Sequence, residues 1–199
     1  MKIVVLAGGL STERAVSLVT GTSVCRALRE NGHQAILVDL FLGLEEVPAD
    51  LETLFDAPDG LCPEAKIESV APDLDAIRAS RKDQSERRFG PNVLELCALA
   101  DIVFLGLHGQ DGEDGRVQAT FDLLGIKYTG GGYLASGLAM DKAMTKRIMD
   151  TAGIPNAPSV YAPTKNPELA EKRQDKVLER MVETKVLTKE EKEMILEER

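Results

Sequence analysis

Hydrophobic positions fall into blocks along this chain. Ile3 to Ala7 are apolar without interruption, the pattern of a strand buried on both faces. Gly8-Gly9 breaks the run. From Thr12 to Asn31, Val16, Val19, Val24, Ala27 and Leu28 recur at helical spacing, and Gly32 is a natural stop. Ala35 to Leu40 is a second apolar strand. Strand, glycine loop, helix and strand in this order make a βαβ unit, which predicts α/β architecture on a parallel, Rossmann-like sheet flanked by helices.

Residues 43–91 break the pattern. They carry Pro48, Pro58, Pro63, Pro72 and Pro91 with Gly43, Gly60 and Gly90, and their apolar periodicity is poor. A long loop-rich insertion is expected, with a short helix near Leu74–Ala79. Its basic spot of Arg81, Lys82, Arg87 and Arg88 reads as solvated loop, with anion binding as the alternative. Order returns with a helix over Val93–Leu99 and a strand over Asp101–Leu107. A polar loop, His108 to Gly115, follows. A helix from Val117 stops at Gly125. Ile126-Lys127-Tyr128 is a short strand, and Leu134–Ala152 a single helix closed by Gly153 and Pro155. After Gly153 there is no glycine. Asn166-Pro167 opens one tail helix, and Thr188 with Glu191 is a capping-box signature for another.

The composition is that of a soluble domain: 199 residues, 43% hydrophobic and 29% charged, with a net charge of −9. An acidic balance argues against a nucleic-acid partner, which needs a basic face. No run approaches a membrane span, and the opening residues are too short for a signal peptide, so a cytoplasmic protein is expected. Cys25, Cys62 and Cys97 are widely spaced and contain no CxxC pair. They are expected as reduced thiols, with Cys25 and Cys97 in the core.

Ligands of open parallel sheets collect beyond the carboxyl ends of the strands. Three glycine-rich loops lie at such ends: 7–13, 108–115 and 129–136. The first lacks both GxGxxG and GxxxxGK[ST], so neither a dinucleotide site nor a P-loop is supported. It sets Glu13 in a helix's first turn, where a carboxylate either complements the helix dipole or accepts a ligand ammonium. His108 directly follows a strand. Asp111, Glu113 and Asp114 are close enough to suit Ca²⁺ or Mg²⁺, but not at EF-hand spacing, and no metal ligand is assigned from them. Lys142 and Lys146 share a helix face that either meets phosphates or is solvated.

Taken together, these loops resemble a known family. Gly8-Gly9-Leu10-Ser11-Thr12-Glu13-Arg14-Ala15-Val16-Ser17-Leu18 resembles the N-terminal signature of D-alanine–D-alanine ligases. His108-Gly109-Gln110-Asp111-Gly112-Glu113-Asp114-Gly115 with Gln118 is similar to a second motif. Tyr128-Thr129-Gly130, Ala135-Ser136 and Met140-Asp141-Lys142 are similar to a third. The resemblance covers residues 1–160. It implies ATP- and Mg²⁺-dependent joining of two D-alanines for peptidoglycan, through an acyl phosphate that the second amine attacks. By the same resemblance, Glu13 engages the first substrate's ammonium, Val16 and His108 flank that substrate, and Lys142 touches the nucleotide phosphates. Residues 1–133 correspond to the substrate domain, with 43–91 as its insertion, and 134–160 to the opening of an ATP-grasp domain. The rest of that domain, with the main ATP and Mg²⁺ residues, has no counterpart here, so this chain alone is expected to be inactive.

The tail, 161–199, has its own short resemblance. Asn166-Pro167-Glu168, Arg173, Val177 to Met181 and Leu187 to Glu191 resemble the end of the transglycosylase domain of class A penicillin-binding proteins. That domain's catalytic glutamates lie outside the segment, and an unrelated amphipathic helical pair fits equally well. The apolar stripe Val177–Val182 needs a partner surface, which makes a homodimer one expectation. The rival functional readings are a non-catalytic module binding D-alanine or a nucleotide, and a dinucleotide-dependent oxidoreductase with Asp39 at the tip of the second strand.

Overall fold

A computed structural model describes residues 1–67, 70–154 and 163–197. The chain divides into two compact units, 1–145 and 146–199.

The first unit is built on a parallel sheet of three strands, β1 (Lys2–Ala7), β2 (Gln34–Asp39) and β3 (Ile102–Leu105), in the order β2-β1-β3. Val4 pairs with Ile36 on one side and Val103 on the other. Central β1 is the continuous apolar run, because both of its faces are covered. Its even positions, Val4 and Leu6, join Ile36, Val38 and Val103 in one cluster. That cluster also takes residues from α3 (Val93–Leu99) and α4 (Arg116–Leu124), including Leu96, Cys97, Val117 and Phe121. Its odd positions, Ile3, Val5 and Ala7, join Ala35, Leu37 and Cys25, the last from α1 (Arg14–Glu30). The two-residue period of a strand thus assigns each side chain to one layer. Gly21 of α1 lets the helix lie close on the sheet, since a Cβ there would stand 2.7 Å from the Ala7 Cβ.

The loop-rich segment contains the expected short helix, α2 (Leu74–Ser80), capped by Asp73, and a 3-10 turn at Leu51–Asp56 that the sequence pattern did not suggest. It is held down at two places. Arg29 of α1 donates to the carbonyls of Ala57 and Pro58. Arg81, read from sequence as a solvated loop residue, is only 2% exposed. Its guanidinium lies 4.8 Å from the Phe41 ring centroid, pairs with Asp83 and donates to the carbonyls of Arg87 and Phe89. A planar cation with several donors can stack and satisfy chain carbonyls at once, which explains the burial.

Two local readings are corrected. Ile126–Tyr128 is no strand but a single bridge, Val103 to Tyr128, because it fills only the short gap between left-handed Gly125 and the Thr129-Gly130 turn. The helix expected over Leu134–Ala152 is two, α5 (Tyr133–Met140) and α6 (Lys142–Thr151). Asp141 separates them. It sits in extended backbone and its carboxylate accepts from the amides of Ala143 and Met144, so it starts a new helix rather than continuing the old one. Pro155, expected to close that helix, lies outside the described residues.

The second unit contains α7 (Pro167–Glu183), opened by its proline, and α8 (Lys189–Glu197). The capping box is formed as predicted. The Thr188 amide donates to Glu191 at 2.8 Å, and the Glu191 amide donates to Thr188 Oγ1 at 3.1 Å. Of the apolar stripe on α7, only Leu178 is buried. No helix among the described residues is long and apolar enough to cross a membrane.

Candidate functional site

Beyond the carboxyl ends of β1 and β3, the loops 8–13 and 106–113 are stitched together. Ser17 Oγ of α1 accepts from the Gly8 amide at 2.9 Å and donates to the Gly106 carbonyl at 2.7 Å. Ser11 Oγ accepts from the Glu13 amide at 3.0 Å and donates to the His108 carbonyl at 2.8 Å. These buried hydroxyls satisfy chain groups where the sheet ladder has ended.

Arg14 and Asp39 fix the glycine turn. Their nearly buried side chains are ion-paired, and the guanidinium also donates to the Gly9 carbonyl at 2.8 Å. Asp39 Oδ1 accepts from the amides of Phe41 and Leu42, and from Gly9 at 3.4 Å. Gly8 has φ +73°, and a Cβ there would collide with the Asp39 carboxylate. Asp39 is therefore spent on its own chain. This removes the acidic side chain that a dinucleotide ribose reading needs at the tip of β2.

Glu13 is the residue immediately preceding α1, and its side chain is exposed. His108 leaves β3 through Gly106-Leu107 and is half-buried. A ligand atom of Glu13, one of His108 and one of Glu113 all lie within 4.8 Å of one another. His108 Nδ1 is 3.9 Å from Glu113 Oε1, while its Nε2 is 3.3 Å from Thr20 Oγ1. Gly109, at φ +71°, lets the loop turn closely enough that a Cβ there would meet Ser11 and the Glu13 carboxylate. Two carboxylates beside an imidazole form a small negative bay suited to a cation, organic or metallic.

The structure thus brings Glu13 and His108 together. Val16, 37% exposed, stands one helical turn after Glu13 on α1. Lys142 is exposed in the first turn of α6. Sequence reasoning missed Glu113 as a site residue. Its only signal was membership of an acidic cluster, and that cluster disperses in the fold. Asp114 accepts from the amides of Asp111 and Arg116. Asp111, at φ +72°, is buried. Its carboxylate lies 3.3 Å from Arg88 and 3.9 Å from Arg116 and makes no hydrogen bond. Burial pushes the Asp111 carboxyl above its ordinary range, against the pull of Arg88. Arg88 therefore belongs to an ion pair rather than to an anion site. Among the described residues, the one three-ligand metal cluster contains an imidazole, whereas Mg²⁺ takes an octahedral set of oxygens. The cluster among the described residues does not fit Mg²⁺.

Residues 2–131 match the family described as D-ala D-ala ligase N-terminus. The chain is similar to the D-alanine–D-alanine ligase of Lacticaseibacillus casei, with 49% identity over 154 residues, which is 77% of this chain and 43% of that protein. It is similar to the same enzyme of Pediococcus pentosaceus, with 50% identity over 150 residues, covering 75% of this chain and 42% of the relative. A crystal structure of the Bacillus anthracis ligase complexed with ATP overlays with a TM-score of 0.48 and 27% identity, over 77% of this chain and 36% of that one. The chain spans less than half the length of these relatives. With a family match over most of its length, the chain belongs to the D-alanine–D-alanine ligase N-terminal family.

Proposed function

We propose that this chain is the part of an ATP-dependent D-alanine–D-alanine ligase that binds the first substrate, serving peptidoglycan synthesis in the cytoplasm. The supporting observation is the convergence of Glu13 and His108, from different loops, at the carboxyl end of the sheet. In this reading, the Glu13 carboxylate holds the ammonium of the first D-alanine. His108 and Val16 flank it. The substrate carboxylate takes the γ-phosphoryl group of ATP and ADP leaves. The amine of a second D-alanine then attacks the acyl carbon, and phosphate departs. Lys142 offsets phosphate charge. Residues 134–160 open the nucleotide-binding domain, and 161–199 are a tail that carries α7 and α8. No step is assigned to Mg²⁺ on this chain.

Phosphoryl transfer needs cationic clamps around the developing charge, and this chain offers Lys142 alone at the place the resemblance assigns. The folded chain is therefore expected to bind D-alanine saturably, to lose that binding in Glu13→Gln, and to release no phosphate from Mg·ATP. Calorimetric titration with D-alanine and a phosphate-release assay test both halves. A folded chain without D-alanine binding overturns the substrate reading. D-alanine-dependent phosphate release overturns the claim that the chain is inactive alone.

A further inference from the structure

We propose that Glu13, His108 and Glu113 form a binding site for a late first-row divalent ion, of which zinc is the natural probe. Three potential ligands from two separate loops lie within 4.8 Å of one another. A tetrahedral zinc shell with bonds of about 2.0–2.1 Å has ligand–ligand edges of about 3.3 Å. His108 and Glu113 are already at 3.9 Å. Contraction to that spacing falls to the two glutamates, whose side chains are exposed.

The surroundings of His108 carry the inference further. Metal-binding imidazoles characteristically give their second ring N–H to a neighbour, which fixes ring orientation. Here Thr20 Oγ1 stands 3.3 Å from Nε2, on the side away from Glu113. With that hydrogen on Nε2, the Nδ1 lone pair faces the carboxylates. The backbone beneath is also held, because Ser11 ties the His108 carbonyl to the Glu13 amide. A mixed carboxylate–imidazole set selects zinc and its neighbours over Mg²⁺ or Ca²⁺. Three protein ligands leave a fourth position for water. This departs from the sequence reading, which assigned no metal ligands.

Metal binding does not depend on the D-alanine reading, but one consequence does. An ion at this bay occupies the place assigned to the substrate ammonium, so zinc and D-alanine must compete.

The test is calorimetric titration of the full chain with zinc chloride. One saturable site is expected, weakened at least tenfold in His108→Ala and in Glu113→Gln and about tenfold in Thr20→Val, with circular dichroism unchanged. Cys62→Ser leaves the affinity unchanged. Cobalt, as a spectroscopic probe, gives visible bands without a thiolate charge-transfer band. Absence of saturable binding, undiminished binding in both ligand variants, or a thiolate band that vanishes in Cys62→Ser overturns the proposal. Zinc binding that D-alanine weakens supports both readings. Zinc binding that D-alanine leaves untouched keeps the metal site and removes the substrate from it.

Discussion

Ser11 Oγ donates to the carbonyl of His108 at 2.8 Å, across 97 residues of sequence. The same oxygen accepts from the Glu13 amide, so one hydroxyl sets the spacing between both loops of the bay. Ser11→Ala leaves a carbonyl and an amide without that partner. The expected cost is about 1–3 kcal/mol, read from urea unfolding. An unchanged midpoint would mean that water replaces the hydroxyl without loss.

Arg14 and Asp39 are both nearly buried, at 10% and 13% side-chain exposure. Removing one partner strands the other. Asp39→Ala is expected to cost about 3–5 kcal/mol, because it also frees the amides of Phe41 and Leu42. Arg14→Met combined with Asp39→Ala should cost less than the two single changes added together. Equilibrium unfolding of all three variants measures the coupling; strict additivity would show that the pair does not act as a unit.

Asp111 gives a pH signature. Its folded-state carboxyl lies above the ordinary value of 3.8, chiefly through burial, so the folded state holds the proton more tightly than the unfolded one. The contribution of Asp111 to stability is therefore greatest below 3.8 and falls as pH rises through the folded value. Asp111→Asn removes this dependence and tolerates the left-handed backbone. Its melting temperature relative to the parent should rise from acid toward neutral pH. A flat difference would mean that Arg88 fully compensates the buried charge.

The three thiols should differ sharply. Cys25 and Cys97 are buried, and burial pushes each up to about 12. Cys62 is partly exposed. A maleimide should label one thiol in the folded chain, Cys62, and three after denaturation. Mass spectrometry of the labelled peptides decides it. Labelling of Cys97 without denaturant would reveal opening of the α3–sheet interface.

The layers of the sheet were legible because strand and helix periods are local properties of the chain. Ile3–Ala7 and Ala35–Leu40 stated their burial without reference to distant residues, whereas the α1 stripe misled: α1 buries Ser17, Gly21, Thr22 and Cys25, while Val16 and Ala27 are exposed. Glu13 and His108 were legible as glycine-loop residues at strand ends. What stayed hidden depended on long-range partners. Arg81 looked solvated until Phe41 was placed beneath it. Glu113 looked like one of three equivalent acids until Asp111 turned inward to Arg88 and Asp114 turned to backbone amides. The break at Asp141 was a local signal misjudged: Leu134–Ala152 read as one helix across it, although its carboxylate caps the following turn.

The pinning of the loop-rich segment at two places has an evolutionary consequence. Arg29 grips it at Ala57 and Pro58 through main-chain carbonyls, whereas Arg81 adds Asp83, Ser85 and the Phe41 ring to its carbonyl bonds. The Arg29 anchor is indifferent to the sequence it grips, while Arg81 requires its side-chain partners to stay. The stretch between them can drift, shorten or accept new residues among descendants while the sheet and its bay keep their geometry. Lineages of this chain should therefore differ most between Leu61 and Ser80, and vary little at the two arginines that bracket it.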